Sequence, residues 1–185
     1  MIKMKRLKRR IRKKTNYHRR IRLLKSGYPR LVVRKSNNNI LVQVVKYDGK
    51  SDKTIFSVLS KTLAKYNWFP KPNTPTAYLT GLKAGLEAKK RGIDRLVLDL
   101  DMKVSSKKTL LYAVAKGVKD SGVNIALDKD VVPPEDRIRG KHIADYAKSL
   151  NKKDEKFSLY SNMGVNPEEI ESIFENAKNK ILSEK

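Results

Sequence analysis

The sequence predicts an α/β fold, a layered mixed β-sheet flanked by helices, with a basic arm in front and a helical extension behind. Three observations carry this. Runs rich in β-branched residues at Leu31–Val33, Ile40–Val45 and Thr54–Leu59 follow one another closely, and polar turn residues join them, as in an antiparallel meander. The chain then changes to helix-period segments enclosing one short apolar run, Leu96–Leu98, the signature of a buried parallel strand covered by helices. Finally, 17 of the 43 Lys and Arg residues precede the first carboxylate, Asp48, so the cationic end stands apart from the body.

Taken in order, Tyr17, Ile21 and Leu24 recur at helical spacing from Thr15 onward, Gly27 is placed to end that helix, and Pro29 forbids its continuation. Ser36–Asn39 reads as the turn of a hairpin, and Asp48-Gly49 as the turn into the third strand. Thr76–Arg91 is predicted helical, with Ala77, Gly81, Ala84, Gly85 and Ala88 on one side. Small residues at that spacing imply close packing against the sheet, although each glycine costs about 1 kcal/mol relative to alanine. A second helix is predicted at Lys107–Asp120, a last strand at Asn124–Leu127, and a third helix at Arg137–Leu150 with an Ile143, Ala147, Leu150 stripe. Asn166–Leu182, opening with Pro167-Glu168-Glu169, forms an amphipathic helix on Ile170, Ile173, Phe174, Ala177 and Ile181. The organisation is then a basic arm and helix over 1–28, an α/β body over 29–150 and an extension over 151–185.

Composition narrows function. The chain has 185 residues and a formal net charge of +24, which points to a polyanionic partner because Lys and Arg release condensed counterions from phosphates. Its 39% apolar content suffices for a core. Cysteine is absent, which removes disulfide scaffolds, thiolate zinc sites and cysteine nucleophiles and suits a cytoplasmic setting. No run reaches the roughly 18 apolar residues of a membrane helix, and the cationic start has no apolar region of a secretory signal behind it.

The run Lys5–Lys14 (KRLKRRIRKK) repels itself and is expected to be extended or frayed without a counter-charge. Across residues 1–28 arginine outnumbers lysine, seven to six. Arginine makes bidentate phosphate contacts and stacks on bases, and Tyr17, His18 and Tyr28 are interleaved with it, as in RNA-recognising surfaces. A merely solubilising tail requires neither feature.

Catalytic signatures are weak. Asp99 and Asp101 follow a buried strand, where metal-dependent nucleases place carboxylates, but no third acid completes a site, and a strand end balancing nearby lysines is the plainer account. Asp128 and Asp130 read as a turn. His18 and His142 are the only histidines and lie on different segments, which disfavours a histidine metal cluster. Ser105-Ser106-Lys107-Lys108 reads as a helix cap with phosphate-facing lysines. No phosphate-cradling glycine loop is present, and neither a catalytic constellation nor a cofactor is expected.

Five segments carry a resemblance: TNYHRRIRLLKSGYPRLVVRKSNNNI from Thr15, NTPTAYLTGLKAGLEA from Asn73, GIDRLVLDLD from Gly92, IRGKHIADYAKSL from Ile138 and LYSNMGVNPEEIESIFENAK in the tail. Together, in collinear order, they resemble the archaeal-type large-subunit ribosomal protein L-eighteen family. The resemblance implies a ribonuclease H-like sandwich of translational components without nuclease activity. It also implies binding to 5S rRNA, a link to large-subunit rRNA at the central protuberance, and contact with neighbouring large-subunit ribosomal proteins. Neither a small-molecule substrate nor a membrane is expected. Motif positions carried over are Thr15, Tyr17, His18, Arg20, Arg22, Lys25, Ser26, Arg30, Arg34 and Lys35. Charge adds Arg6, Lys8, Arg9, Arg10, Arg12, Lys13, Lys14 and Arg19, and the hairpin tip adds Asn37 and Asn38. Two departures stand out: Tyr28 replaces a small or basic residue, and Asn37–Asn39 replaces a more basic tip. The competing reading is a general basic nucleic-acid-binding protein without 5S specificity, which a basic body would favour over a basic end.

Overall fold

Lys8–Ile11 (α1) and Tyr17–Leu24 (α2) lead into three antiparallel strands, Arg30–Lys35 (β1), Ile40–Tyr47 (β2) and Asp52–Leu59 (β3). A 3-10 helix, Ser60–Tyr66, precedes Thr74–Lys90 (α3), Arg95–Asp99 (β4), Leu110–Asp120 (α4) and Asn124–Ile125 (β5). Glu135–Arg139 (α5), Lys141–Ser149 (α6) and Ile170–Ser183 (α7) complete the order. The structure, a computed structural model, describes residues 8–12, 15–100, 106–150, 157, 158, 160 and 164–184. The strands form one sheet in the order β3-β2-β1-β4-β5. β1 pairs antiparallel with β2 and parallel with β4, and β4 pairs parallel with β5. This is the mixed sheet that the meander and the buried run predict.

Strand alternation divides the residues between two faces. Leu31 and Val33 of β1, Ile40, Val42 and Val44 of β2, and Phe56 and Val58 of β3 point into one core with Leu79 and Leu82 of α3. The helices cover that face. Arg30, Val32 and Arg34, with Gln43 and Val45, belong to the other face. A bulge between Val44 and Val45 places Thr54 opposite Val45 and Asp52 opposite Tyr47, which returns Asp52 to the same side as Arg30.

The helical layer departs from expectation in three places. Gly81 and Gly85 of α3 face α4 rather than the sheet: a Cβ at Gly81 would collide with the Val114 backbone, and one at Gly117 with Tyr78 O and Leu82 N. The two helices approach backbone to backbone, which only glycine permits. Alanine for glycine inside a helix ordinarily gains about 1 kcal/mol. Gly117→Ala is expected instead to cost roughly 1–3 kcal/mol through overpacking, read as a lower urea midpoint. Secondly, the predicted helix over Arg137–Leu150 is two helices, because Gly140 takes a left-handed φ of 92° and its α-carbon lies against Ile170 and Pro75. Thirdly, α4 starts at Leu110 with Thr109 as its cap, not at Lys107 after a serine cap. Lys108 has a left-handed φ of 59°, which breaks a helix begun earlier.

The tail helix belongs to the core. Ile170, Phe174, Ala177 and Ile181 of α7 are buried, and the Phe174 ring lies edge-on to Trp68 at 6.0 Å and 5.7 Å from Tyr78. Trp68 in turn donates from Nε1 to Thr76 Oγ1 at 2.8 Å. The amphipathic spacing of the tail fits this burial. The 3-10 helix after β3 has no comparable sequence signal; its Ser60 side chain is buried and accepts from Ile40 N at 3.1 Å. The last strand is shorter than expected, since only Asn124 and Ile125 pair with β4.

Candidate nucleic-acid interface

The face of the sheet that the α3–α7 layer leaves uncovered carries residues of α1 and α2. Asn16 caps α2, accepting from Arg19 N at 3.2 Å, and Gly27, with a φ of 70°, closes it as its position predicts. Arg9 of α1 donates from Nε to Thr15 Oγ1 at 2.9 Å, which ties the short helix to the start of α2. This charge run is expected to be extended or frayed without a counter-charge, and within it Lys8–Ile11 forms a single helical turn.

A cavity of about 170 Å³ lies between these helices and the sheet. Arg9, Thr15, Asn16, Arg19 and Arg20 line one side; Arg30, Val32, Arg34, Gln43, Val45, Asp52, Thr54 and Asp99 line the other. Five arginines and two aspartates give the described lining of this one concave surface a formal charge of +3, enough to concentrate phosphate there. The first turn of α2 opens on it with N–H groups and the positive end of a helix dipole.

Arg30 anchors the arrangement. It is only 4% exposed, with Nη1 2.6 Å from Asp99 Oδ2 and Nη2 2.7 Å from Asp52 Oδ1. Its Nε is buried and has no hydrogen-bond partner. Burial works against the charge, but Asp52, and Asp99 after it, more than offset that and hold the guanidinium above its ordinary pKa. Asp52 also pairs with Arg20 Nη2 at 3.0 Å, so a single carboxylate fastens α2 to β1 and β3. Arg30 is therefore a positioning residue, spent on the two carboxylates.

The same geometry accounts for Asp99 at the end of β4. Asp99 is engaged by Arg30, Asp101 lies outside the described residues, and among the described residues no group of three metal-ligating side chains occurs. Asp128 accepts from Asp130 N at 3.4 Å, the expected turn.

Of the residues the sequence singles out, Arg9, Thr15, Arg19, Arg20, Arg30 and Arg34 meet in this cavity. Lys8, Arg12, His18, Arg22 and Lys25 are exposed on α1, α2 and their ends, with Tyr17 half-buried. Ser26 Oγ donates to Leu23 O at 2.7 Å, a turn-closing bond. Arg10 lies in α1, while Arg6, Lys13 and Lys14 lie outside the described residues. Lys35, Asn37 and Asn38 are carried by the β1–β2 hairpin away from the cavity, and Lys35 and Asn37 line two others. Tyr28 holds the Arg95 guanidinium 4.4 Å from its ring centroid and accepts from Arg95 Nη1 at 3.2 Å, so one face of its ring is occupied. Asp52, Gln43 and Thr54 are lining residues that the sequence does not single out. The signal for Gln43 is present all the same: one polar residue inside ILVQVV marks the face of β2 that points away from the core.

Comparison with known proteins decides the family. The model for ribosomal large subunit proteins 60S L5 and 50S L18 matches residues 2–94, which span the arm, α2, the meander and α3. The large ribosomal subunit protein uL18 of Korarchaeum cryptofilum is 41% identical over 172 residues, covering 91% of this chain and 88% of that protein. The uL18 of Methanosphaera stadtmanae is 42% identical over 177 residues, covering 94% and 92%. The chain belongs to the uL18 family. It is thus a structural protein of the large ribosomal subunit, an RNA-binding component of the translation machinery and not an enzyme. Among the described residues of this uL18 no helix is long and apolar enough to cross a membrane.

Proposed function

We propose that this uL18 protein binds 5S rRNA through α2 and the sheet face that α3–α7 leave uncovered, and links it to large-subunit rRNA at the central protuberance beside neighbouring large-subunit proteins. The observation that carries this reading is the convergence of Arg9, Arg19, Arg20, Arg30 and Arg34 on one cavity whose described lining has a formal charge of +3. Residues 1–28 act as the basic arm and helix, 29–150 as the RNA-binding body and 151–185 as the C-terminal extension. Phosphate contacts from the arm and α2, with Arg6, Lys8, Arg10, Arg12, Lys13 and Lys14 among them, supply affinity. The segment from Tyr17 to Lys35, held on a rigid sheet by the Arg30 ion pairs, supplies shape and base contacts; phosphate contacts position and base contacts specify. Asn37 and Asn38 extend the surface along the hairpin.

The test is equilibrium binding to 5S rRNA across a salt series, with tRNA and duplex DNA of matched length as competitors. Preference for 5S rRNA at every salt concentration is expected. Equal binding of all three, fading together with salt, is the behaviour of a general basic nucleic-acid-binding protein and contradicts the proposal.

A further inference from the structure

A second cationic surface lies at the other end of β1, beyond its carboxyl terminus, where open α/β sheets commonly seat ligands. Two cavities of about 520 and 770 Å³ meet there and share Pro72, Asn73 and His142. Lys35, Lys71, Lys108 and Arg137 rim them, and no carboxylate is found among the described residues that line either one. The arm-side cavity, by contrast, carries Asp52 and Asp99. α4 begins at this rim with no side chain capping it, since Thr109 Oγ1 donates to Ser106 O at 3.2 Å. The first N–H groups of an eleven-residue helix thus add to the field of the lysines. The floor is aromatic: Tyr146 is 46% exposed, Phe157 lies 6.0 Å from it, and Tyr160 lies 5.7 Å beyond.

We propose that this crevice binds a single-stranded segment of RNA, with phosphates held by Lys35, Lys108 and Arg137 and an unpaired base stacked on Tyr146. Cationic rim and exposed ring are the two parts that single-strand binding combines. Asn37 lines the same cavity as the ring with an amide that both donates and accepts, as base edges require, while Asn73 is engaged in capping α3 and in donating to Tyr160. An acidic peptide would use the rim but has no need of the ring. The crevice shares no lining residue with the arm-side cavity; it takes Lys35 and Asn37 from the hairpin and goes beyond the function proposed above by giving the hairpin tip and α4 a shared task.

The protein carries its own reporters, because His142 lines both cavities of the crevice and His18 sits on α2. The experiment titrates the full-length protein with a short oligouridylate and follows the ring protons of both histidines by NMR, with His142→Gln for assignment. A saturable shift of the His142 signal is expected. The double variant Lys108→Asn/Arg137→Gln should weaken the affinity read at His142 by about tenfold or more, because two charge-assisted hydrogen bonds are removed, while the His18 response persists. Asparagine tolerates the left-handed backbone at position 108. Tyr146→Ala should weaken binding and Tyr146→Phe preserve it. A His142 signal that stays still while His18 moves overturns the crevice and leaves the arm-side reading intact. Movement of His142 alone supports the crevice and counts against the arm-side reading. An oligoglutamate of matched charge that shifts His142 as strongly as oligouridylate overturns the proposal in favour of an acidic protein partner.

Discussion

Replacing Arg30 by methionine is expected to cost about 3–5 kcal/mol of stability, the penalty of breaking one partner out of a buried ion pair. The guanidinium is almost wholly buried, and Asp99, itself only 8% exposed, depends on the charge 2.6 Å away to offset its own desolvation. Asp52 is less affected, since it keeps Arg20 at 3.0 Å. The double variant Arg30→Met/Asp99→Leu should recover most of the loss, because a buried ion pair exchanged as a unit for apolar groups of similar volume is often neutral or stabilising. Urea unfolding of the two single variants and the double variant gives the coupling directly. Additive losses, with the double variant worse than either single one, would show that Arg30 and Asp99 do not act as a coupled pair.

Removal of residues 1–14 is expected to have the largest effect on RNA binding. With about 6–10 phosphates neutralised by the intact protein, affinity falls on the order of a thousandfold or more between 50 and 200 mM salt. Each phosphate that the truncated protein no longer neutralises should reduce the slope of log affinity against log salt by about 0.7–0.9. The truncated protein therefore binds more weakly at low salt and responds less to added salt. Its preference for 5S rRNA over tRNA should persist, because Arg19, Arg20 and Arg34 remain on α2 and β1. Loss of all discrimination on truncation would overturn the division between an affinity arm and a specifying body.

The fold was legible wherever a periodic pattern had one cause. The meander, the buried β4 strand and the amphipathic α7 each stand where alternation or helical spacing places them, and the strand order follows from a meander succeeded by parallel additions. What escaped the pattern was decided by tertiary packing. The small-residue stripe on α3 announced a close neighbour but not that α4 would be that neighbour, because glycine says how near a partner comes and not which one it is. The break at Gly140 and the late start of α4 after Lys108 rest on left-handed residues inside segments whose apolar spacing runs on across them.

The candidate site shows the same division. Charge, with the family resemblance, singled out Arg9, Arg19, Arg20 and Arg34. It could not separate them from Arg30, whose task is set by Asp52, 22 positions away in the chain, and by Asp99 on another strand. Asp99 shows the converse: read by itself at a strand end it suggests metal chemistry, and read against Arg30 it is one half of an ion pair. Arg137 and Tyr146 carried no signal of their own, and Lys108 only that of a lysine beside an expected helix cap, since the turn before α4 and the separate helices α5 and α6 bring them to the crevice beyond β1.

The most direct measurement of the interface is selective arginine modification by phenylglyoxal, read by mass spectrometry with and without 5S rRNA at saturating concentration. Arg9, Arg19, Arg22 and Arg34 should be protected by the RNA, while Arg139, exposed on the helical layer beside Glu175, should react at an unchanged rate. Protection of Arg139 with Arg19 and Arg34 left reactive would place the RNA on the α3–α7 layer and contradict the assignment of the opposite sheet face.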